Sequence, residues 1–504
     1  MLPYTSNLKL MWFMGYLSFV RSFSPKTTKI NLSCHRFVQF ASFSSKISIS
    51  DTYDGGNIEL VDQSQSPIED GKEGKNNIVS LRIKPDPFTE LEKVSHMQYF
   101  SFRSTIHNTP DDDDDGDDDD GDGDGESNNN RGDEEISVTY QILNAGKASY
   151  ANAWDDSTVF YSKSVSDPDK WRREETTRFE DGKLVWNHIH KKNTESVYFS
   201  YFPPFSYARH LDLVEKCSKY TEVFSLGQTL EGREMECVKV GTGKSIGWII
   251  HRQHPGEHMA EFYAEGLLER LLGYDAQGDT DGLVRQLLSK YTLYIVPSMN
   301  PDGAVAGNLR VNAAGANLNR EWCDSSNENY SAPSLERSPE VYHVLEKMKE
   351  TGCDFFGDIH GDEEIPYNFL AQPCVPNWGD RLKSLHGAFL AAYSRANPDM
   401  QQEFAYEPSE YIEGDNILNI ANDQIAHRFD CLSVTLEMPF KDCLSNPDSE
   451  RGWSPARSRA LGSSLCEALI YIHPYLRLDQ DDKTFSENFP EQDQYVLPTS
   501  QYKR

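Results

Sequence analysis

A histidine and a glutamate three residues apart are the first side chains in the sequence that could bind a metal ion. His254 and Glu257 belong to the tetrapeptide His-Pro-Gly-Glu, which follows the apolar run at residues 245–251. One imidazole and one carboxylate from a single turn are two of the three protein ligands that a catalytic zinc needs, with the fourth position left to water. Four-residue matches occur by chance, so the motif is informative only if other segments supply the remaining groups.

A second interpretation of this region also uses His258. The spacing His254-x-x-Glu257-His258 is that of helical zinc motifs in which both histidines bind the metal and the glutamate is the base. That arrangement needs both histidines on one helical face, but Pro255 and Gly256 lie between them. We therefore expect His254 to precede the helix, and His258 to lie at the surface or to support the metal ligands.

Two further segments contain arginines in turn-rich sequence. Arg310 follows the turn sequence Asn-Pro-Asp-Gly at 300–303, and Asn319 and Arg320 lie within Gly-Ala-Asn-Leu-Asn-Arg-Glu-Trp at 315–322. An asparagine next to an arginine offers a planar cluster of donors that can hold a carboxylate. Ordinary solvated charges are the alternative for these residues.

The last two segments place a histidine and a glutamate at the ends of apolar runs. Asp358 precedes His360 by two residues, so its carboxylate could fix the tautomer of the imidazole, although both could also be plain loop residues. Glu437 follows the apolar run that begins at residue 432. A glutamate at the end of a buried strand is unfavourable unless it is paired or lies near a metal, which favours a functional role.

The elements that must position these residues are predicted to be buried strands. From about residue 203, strand patterns alternate with helical ones, which is typical of an α/β fold with helices packed on a sheet. Upstream, β-like segments lie on both sides of a strongly acidic run. The acidic run is therefore predicted to be an insertion in a β-rich domain.

Taken in order, the four segments resemble the zinc metallocarboxypeptidases of the M14 family, and most closely its cytosolic carboxypeptidase branch. The resemblance runs from about residue 205 to 476, and upstream segments such as Tyr-Phe-Pro-Pro at 201–204 are similar to the β-sandwich domain of that branch. The fold it implies is α/β, in this order: an N-terminal antiparallel β-sandwich at 51–204, a mixed-sheet α/β zinc carboxypeptidase domain at 205–480 and a C-terminal tail at 481–504.

The resemblance also implies a role for each candidate residue. The residues that match the ligands of one Zn²⁺ ion are His254, Glu257 and His360. The residues that match catalytic and substrate-binding groups are Glu437 as general base, Arg310 as the group that polarises the scissile carbonyl, and Asn319 with Arg320 as the clamp on the substrate's terminal carboxylate. No motif marks the tyrosine that closes over the substrate in classical members, and Tyr411, in the loop before Glu437, is the candidate for it. The expected substrates are peptide or protein C-termini, and in the cytosolic branch these include C-terminal glutamate and polyglutamylated proteins.

Two other functions are compatible with parts of this pattern. Aspartoacylase-type amidohydrolases, which cleave N-acyl amino acids, share the zinc chemistry and an arginine clamp. A non-catalytic zinc-containing protein that binds partners through the sandwich and the acidic run is the second alternative. The upstream sandwich and the full 315–322 segment favour a peptidase over the first, and the complete ligand and base set argues against the second.

The charge of the chain argues against a nucleic-acid partner. The sequence has 80 acidic and 49 basic side chains, a formal net charge of −31, whereas nucleic-acid binding needs a basic face. Residues 111–132 alone contain eleven Asp, one Glu and one Arg. Such a run buries too little apolar surface to order itself, so we predict a disordered insertion near 107–135.

The first fifty residues have the composition of an organelle transit peptide. They contain six Lys or Arg, ten Ser and no acidic residue. The nine cysteines are scattered without paired spacing, which indicates reduced intracellular thiols. No segment reaches the length of a membrane span. We predict a leader at 1–50 that directs the protein to a mitochondrion or plastid, with the cytosol as the alternative.

This location is testable with a reporter. A fluorescent protein that carries residues 1–50 should enter mitochondria or plastids, because the positive, acid-free leader is the import signal. A fusion in which the six basic residues are replaced by glutamine should stay in the cytosol. A cytosolic signal from the unaltered fusion would contradict the organelle prediction.

Overall fold

The structure is a computed structural model that describes residues 46–67, 75–87, 94–107, 135–191, 195–326, 331–413 and 418–477. These residues form three sheets, and among them no helix is both long and apolar enough to cross a membrane. Most of the predicted leader, nearly all of the predicted acidic insertion and the whole of the predicted tail lie outside the described residues.

The N-terminal part consists of short strands. In chain order they are β1 (Lys46–Ser50), β2 (Glu59–Pro67), β3 (Lys75–Arg82), β4 (Ser101–His107), β5 (Glu135–Ile142), β6 (Phe160–Ser162), β7 (Arg172–Arg173), β8 (Arg178–Glu180), β9 (Lys183–Lys191) and β10 (Ser196–Ser200). They form two sheets of five strands, in the orders β1-β4-β10-β6-β7 and β2-β3-β5-β9-β8. The predicted antiparallel sandwich is confirmed with one exception. Strands β3 and β5 run parallel, because the chain passes through β4 of the other sheet between them.

Aromatic rings fill the space between these two sheets. Phe102 and Phe199 come from one sheet, Tyr140 and Trp186 come from the other, and all four are fully buried. The rings of Tyr140 and Trp186 stack with centroids 5.4 Å apart, and the ring of Tyr140 lies 4.8 Å from that of Phe199 across the sandwich. Burial of large rings at such distances stabilises the sandwich beyond the area removed from water.

Two predicted boundaries can be compared with these strands. Residues 46–50, which the sequence analysis placed in the leader, form β1 and pair with β4. The sandwich therefore begins no later than Lys46, five residues inside the predicted leader. In the sequence the acidic run stands between β4 and β5, which belong to different sheets.

The C-terminal part consists of one seven-stranded mixed sheet with helices. Its strands are β11 (Glu222–Gln228), β12 (Glu234–Val240), β13 (Ser245–His251), β14 (Tyr291–Val296), β15 (Phe355–Asp362), β16 (Phe369–Ala371) and β17 (Leu432–Pro439), in the order β11-β12-β14-β13-β15-β17-β16. Its helices are α1 (Tyr207–Ser218), α2 (His258–Leu272), α3 (Gly282–Lys290), α4 (Pro301–Ala306), α5 (Pro339–Thr351), α6 (Asp380–Ala396), α7 (Ala421–Phe429), α8 (Pro455–Ser463) and α9 (Leu465–Ile472). The four central strands β14, β13, β15 and β17 are mutually parallel.

Helices cover both faces of this sheet, which explains the continuous apolar runs of its central strands. Ile249 of β13 packs in the core that contains α2, α3, α6, α8 and α9 residues, whereas Trp248 and Ile250 pack in a second core with α5 and α7. The alternation follows from the two-residue period of a strand. Most side chains of these strands are apolar and buried, and the few polar ones among them include Asp358 and Ser433.

A buried charged network ties α1 to the sheet and to α2. His210 lies with Nδ1 2.7 Å from Oε1 of Glu261 and Nε2 3.1 Å from Oε2 of Glu236. Burial alone would lower the pKa of His210, but hydrogen bonds to the two carboxylates outweigh it and raise the pKa to about 9. The charged imidazole is therefore part of the folded structure.

The network predicts a pH-dependent stability. Because the folded pKa of His210 lies above the unfolded value of 6.5, its contribution is fully present below about pH 6.5 and is lost as the pH rises to about 9. That contribution is on the order of 3 kcal/mol. In chemical denaturation, His210→Gln should lower the free energy of unfolding strongly at pH 6 and much less at pH 9.5. The exposed His427→Gln is the control, and an equal loss at both pH values would contradict the charged state.

Candidate active site

The predicted site residues meet at the carboxyl ends of β13, β15 and β17. His360 lies in β15 and Glu437 lies in β17, and the two are direct register partners. His254 lies in the loop after β13, and Glu257 is the residue immediately before α2. Parallel strands end at the same edge of a sheet, which is where α/β proteins bind ligands. This is how residues far apart in the sequence come into contact.

The turn that carries His254 is fixed by a buried arginine. Arg252 follows β13 with a left-handed backbone (φ 56°), which is unfavourable for a residue with a side chain. Its guanidinium donates to the carbonyl of Pro255 at 2.9 Å and to Glu261 at 2.6 Å. These bonds offset the strain and hold the turn in place.

The three predicted metal ligands form one buried cluster. Nδ1 of His254 lies 2.6 Å from Oε1 of Glu257, and Nδ1 of His360 lies 2.8 Å from Oε2 of the same carboxylate. One ligand atom from each residue falls within 4.8 Å of the others, and no other group of three or more His, Cys, Asp or Glu in the described part of the chain meets this criterion. The donor set of two nitrogens and one carboxylate suits zinc.

Acceptor atoms lie on the far side of each imidazole. Nε2 of His254 lies 3.1 Å from Oδ1 of Asn317, and Nε2 of His360 lies 2.9 Å from Oδ1 of Asp358. Because each Nε2 faces an acceptor, each Nδ1, which faces Glu257, is the nitrogen that could bind a metal ion. Two nitrogen ligands and one carboxylate around a common point fit a zinc ion. Asp358 occupies the position predicted for it.

The charges of the cluster differ from residue to residue. Burial lowers the pKa of His254 to about 3, and Arg310 acts in the same direction. Burial opposes the charge of Glu257, but the two imidazoles outweigh it and lower the pKa of its carboxyl. Burial raises the pKa of Glu437 well above its usual range. The Oε2 atom of Glu437 is also buried without a hydrogen-bond partner among the described residues. The site thus combines an ionised ligand with a carboxyl of high proton affinity.

Seven of the eight predicted site residues line one cavity of about 430 Å³. Arg310 donates from Nη1 to the hydroxyl of Tyr150 at 3.1 Å. Asn319 accepts from the backbone N–H of Ala421 at 2.9 Å, and its Nδ2 lies 3.4 Å from Nε2 of His360. The predicted carboxylate clamp therefore lies directly beside a metal ligand.

His258 has a different role from a metal ligand. Helix α2 begins at His258, so His254 lies outside the helix as expected. His258 is not at the surface but only 2% exposed. Its Nδ1 accepts from the backbone N–H of Phe205 at 3.0 Å and also contacts Arg252. The residue supports the turn through Arg252 and does not join the cluster.

Among the described residues, the tyrosines that line the cavity are Tyr150 and Tyr406. The hydroxyl of Tyr406 donates to Oδ2 of Asp362 at 2.6 Å. Tyr411 lies five residues further on, just before the undescribed residues 414–417, and is not among the lining residues. The role of Tyr411 stays a prediction, and Tyr406 is a second candidate.

Sequence reasoning missed three residues of the site. Asn317 supports His254, Tyr150 contacts Arg310, and Gln253 donates to Asp358 at 2.8 Å while accepting from Trp322. Asn317 lies inside the 315–322 segment, so the motif around Asn319 and Arg320 could have identified it. No motif marks Tyr150, because it comes from the sandwich.

The fold and the donor set define a metal-dependent hydrolase of the α/β class. Comparison with known families narrows this class. Residues 207–451 match the zinc carboxypeptidase family, and residues 129–202 match the cytosolic carboxypeptidase N-terminal domain. The chain belongs to the M14 zinc carboxypeptidases, in the branch related to the cytosolic carboxypeptidases, and it is a carboxypeptidase.

Some relatives match most of the chain and others about a third of it. An uncharacterized protein of Zymomonas mobilis is 36% identical over 430 residues, which cover 84% of this chain and 96% of that protein. A metallo-carboxypeptidase of Pseudomonas aeruginosa, solved in complex with (2-guanidinoethylmercapto)succinic acid, is 34% identical with a TM-score of 0.69, and the match covers 85% of this chain and 100% of that chain. Mouse cytosolic carboxypeptidase 6 is 27% identical over 186 residues, 34% of this chain and 33% of that protein.

The ion-pair contact between Asp358 and His360 predicts an effect on metal affinity. Asp358→Asn should weaken zinc binding by about 10- to 100-fold, because it removes the carboxylate that orients the imidazole. Competition with a chelating indicator measures this affinity. Asp354→Asn is a matched control, since Asp354 lies just before the same strand and accepts from the backbone N–H of Ile246 instead. Equal zinc affinity in the Asp358 variant and the wild type would contradict the role.

Proposed function

We propose that this chain is a zinc-dependent exopeptidase that hydrolyses the C-terminal peptide bond of peptides or proteins, with Glu437 as general base. One observation carries the proposal: a single cavity holds the three candidate metal ligands, a buried carboxyl and two arginines. Each of these groups serves one requirement of peptide-bond hydrolysis at a free C-terminus.

The metal site is the first requirement. The M14 family implies zinc, and His254, Glu257 and His360 would hold it. When bound, zinc supplies a Lewis acid that makes a neighbouring water molecule easier to deprotonate. Asn317 and Asp358 keep both imidazoles in the tautomer that presents Nδ1 to the ion.

The second requirement is a proton acceptor. Glu437 is in register with His360, so it lies beside the ligands. Its buried Oε2 has no hydrogen-bond partner among the described residues and is free to accept. Glu437 takes the proton of the attacking water and later delivers it to the leaving amine.

The third requirement is stabilisation and selection of the substrate. Negative charge develops on the carbonyl oxygen during attack, and Arg310 is the cation placed to stabilise it; losing one such donor typically costs about 3 kcal/mol. Arg320, next to Asn319, binds the terminal carboxylate of the substrate. An internal peptide bond would leave this cation without its partner, which makes the enzyme an exopeptidase.

The acids that line the cavity bear on the preferred C-terminal residue. Asp362, Glu363, Glu407 and Asp423 line it together with the two arginines. An acidic C-terminal side chain should therefore be less favourable than a neutral or basic one, in contrast to the glutamate removal that the cytosolic branch suggests. The compound bound by the Pseudomonas aeruginosa relative combines carboxyl groups with a guanidine group, which agrees with a cavity of mixed charge.

A peptide panel tests the proposal. Peptides that differ only in the last residue, each as free acid and as C-terminal amide, are incubated with the protein and analysed by mass spectrometry. We expect loss of single C-terminal residues from free acids, little from amides, and none after chelation. Glu437→Gln should keep stoichiometric zinc and lose turnover by about 10²- to 10⁴-fold. The exposed Glu346→Gln should behave like the wild type.

Each alternative gives a distinct result. Turnover of N-acyl amino acids without turnover of any peptide would indicate the aspartoacylase-type activity. Stoichiometric zinc with no hydrolysis of the panel would indicate a binding protein. Near-wild-type turnover by Glu437→Gln would disprove its role as base, and equal cleavage of acids and amides would disprove the clamp.

A further inference from the structure

The segment that carries Arg310 is held by residues of the β-sandwich. This segment, residues 305–311, runs from the end of α4 past the arginine. The backbone N–H of Gly55 donates to the carbonyl of Val305 at 3.0 Å, and Nδ2 of Asn57 donates to the carbonyl of Gly307 at 3.0 Å. Gly307 has φ 76°, and a Cβ there would lie 2.8 Å from the carbonyl oxygen of Gly56. The two parts of the chain are therefore in close backbone contact.

A single carboxylate of the sandwich accepts hydrogen bonds from three consecutive backbone amides of this segment. Asp86, which follows β3 and is 5% exposed, accepts from the backbone N–H groups of Leu309, Arg310 and Val311 at 2.7, 2.8 and 3.1 Å. Hydrogen bonds to a charged acceptor are roughly twice as strong as neutral ones. Because three consecutive amides point at one carboxylate, the orientation of the backbone at 309–311 is fixed.

A tyrosine of the sandwich binds the other end of the arginine. The hydroxyl of Tyr150 accepts from Nη1 of Arg310 at 3.1 Å. The backbone of Tyr150 is itself fixed by the fully buried side chain of Gln98, which accepts from its N–H at 3.0 Å and donates to its carbonyl at 3.2 Å. The sandwich thus fixes both the backbone and the guanidinium of Arg310.

We propose that Asp86 and Tyr150 are positioning residues that act through Arg310, so that the β-sandwich forms part of the active site. The inference rests on the proposed function, in which Arg310 stabilises the charge of the reacting carbonyl. A long side chain such as arginine performs this task only if it is held in one place, and a misplacement of about 1 Å can cost on the order of 10²-fold in rate. The simpler reading is that Asp86 only joins two parts of the protein, in which case its loss would act on stability and not through Arg310.

A double-mutant cycle separates the two readings. Asp86→Asn should lower kcat by about 10- to 100-fold with little change in KM or zinc content. In a chain that already carries Arg310→Gln, the same substitution should change kcat by less than about twofold, because coupled residues are not additive. Tyr150→Phe, which removes only the hydroxyl, should show the same non-additivity with Arg310→Gln. This variant replaces Asp86→Asn in the cycle if the Asp86 variant does not fold. Glu174→Gln is the control, since Glu174 is a buried carboxylate that bonds His188 within the sandwich.

Hydrogen exchange gives a readout that does not need activity. The amides of residues 309–311 should exchange at least about tenfold faster in Asp86→Asn than in the wild type. Their exchange rate should be unchanged in Glu174→Gln. Full additivity of the Asp86 or Tyr150 effect with Arg310→Gln, or unchanged exchange at 309–311, would overturn the proposal. A wild type that exchanges slowly at 309–311 but cleaves no peptide would instead contradict the proposed function.

Discussion

One buried carboxylate facing two imidazoles is the constraint on which the active site depends. Glu257 lies at the amino end of α2, where the helix dipole favours negative charge. The backbone N–H of Gly361 also donates to its Oε2 at 3.1 Å. Such a cluster is stabilised in a buried site by the polar groups around it. Asn317 lies beside His254, Asp358 lies beside His360, and Arg252 holds the turn that carries His254.

The parallel sheet alone does not complete the site. The ends of β13, β15 and β17 bring together the predicted ligands and the proposed base, but the segment of Arg310 lies beyond α4, outside the sheet. Its amides at 309–311 donate to Asp86 of the sandwich instead. The two parts also meet after the end of β17, where the ring of Tyr201 stacks on that of Phe440 at 4.6 Å and Lys441 donates to the carbonyl of Asp155 at 2.7 Å. Residues next to β17 are thereby fixed to the sandwich as well.

Features that depend on residues close together in the sequence could be predicted, whereas contacts between distant residues could not. His254 and Glu257 form a local motif, and the apolar runs before His360 and Glu437 predicted buried strands, whereas the ligand set and the mixed sheet were predicted from the family resemblance. The contact between Asp86 and Arg310 spans more than two hundred positions and has no local pattern. The same applies to Tyr150. The parallel pair of β3 and β5 was missed because strand alternation predicts faces and not the direction of neighbours.

The net charge and the charge of the cavity act at different distances. The overall charge of −31 disfavours approach of an anionic C-terminus, yet salt screens exposed charges beyond about 8 Å at physiological ionic strength. In the proposed function Arg320 would act only after the carboxylate has entered the cavity, where a bidentate contact is strong. Selection of a free C-terminus would then depend on this short-range contact, and discrimination among the side chains that arrive with it would depend on the surrounding acids. Such a division requires the arginines to be held rigidly, because a mobile cation among so many carboxylates would pair with one of them instead.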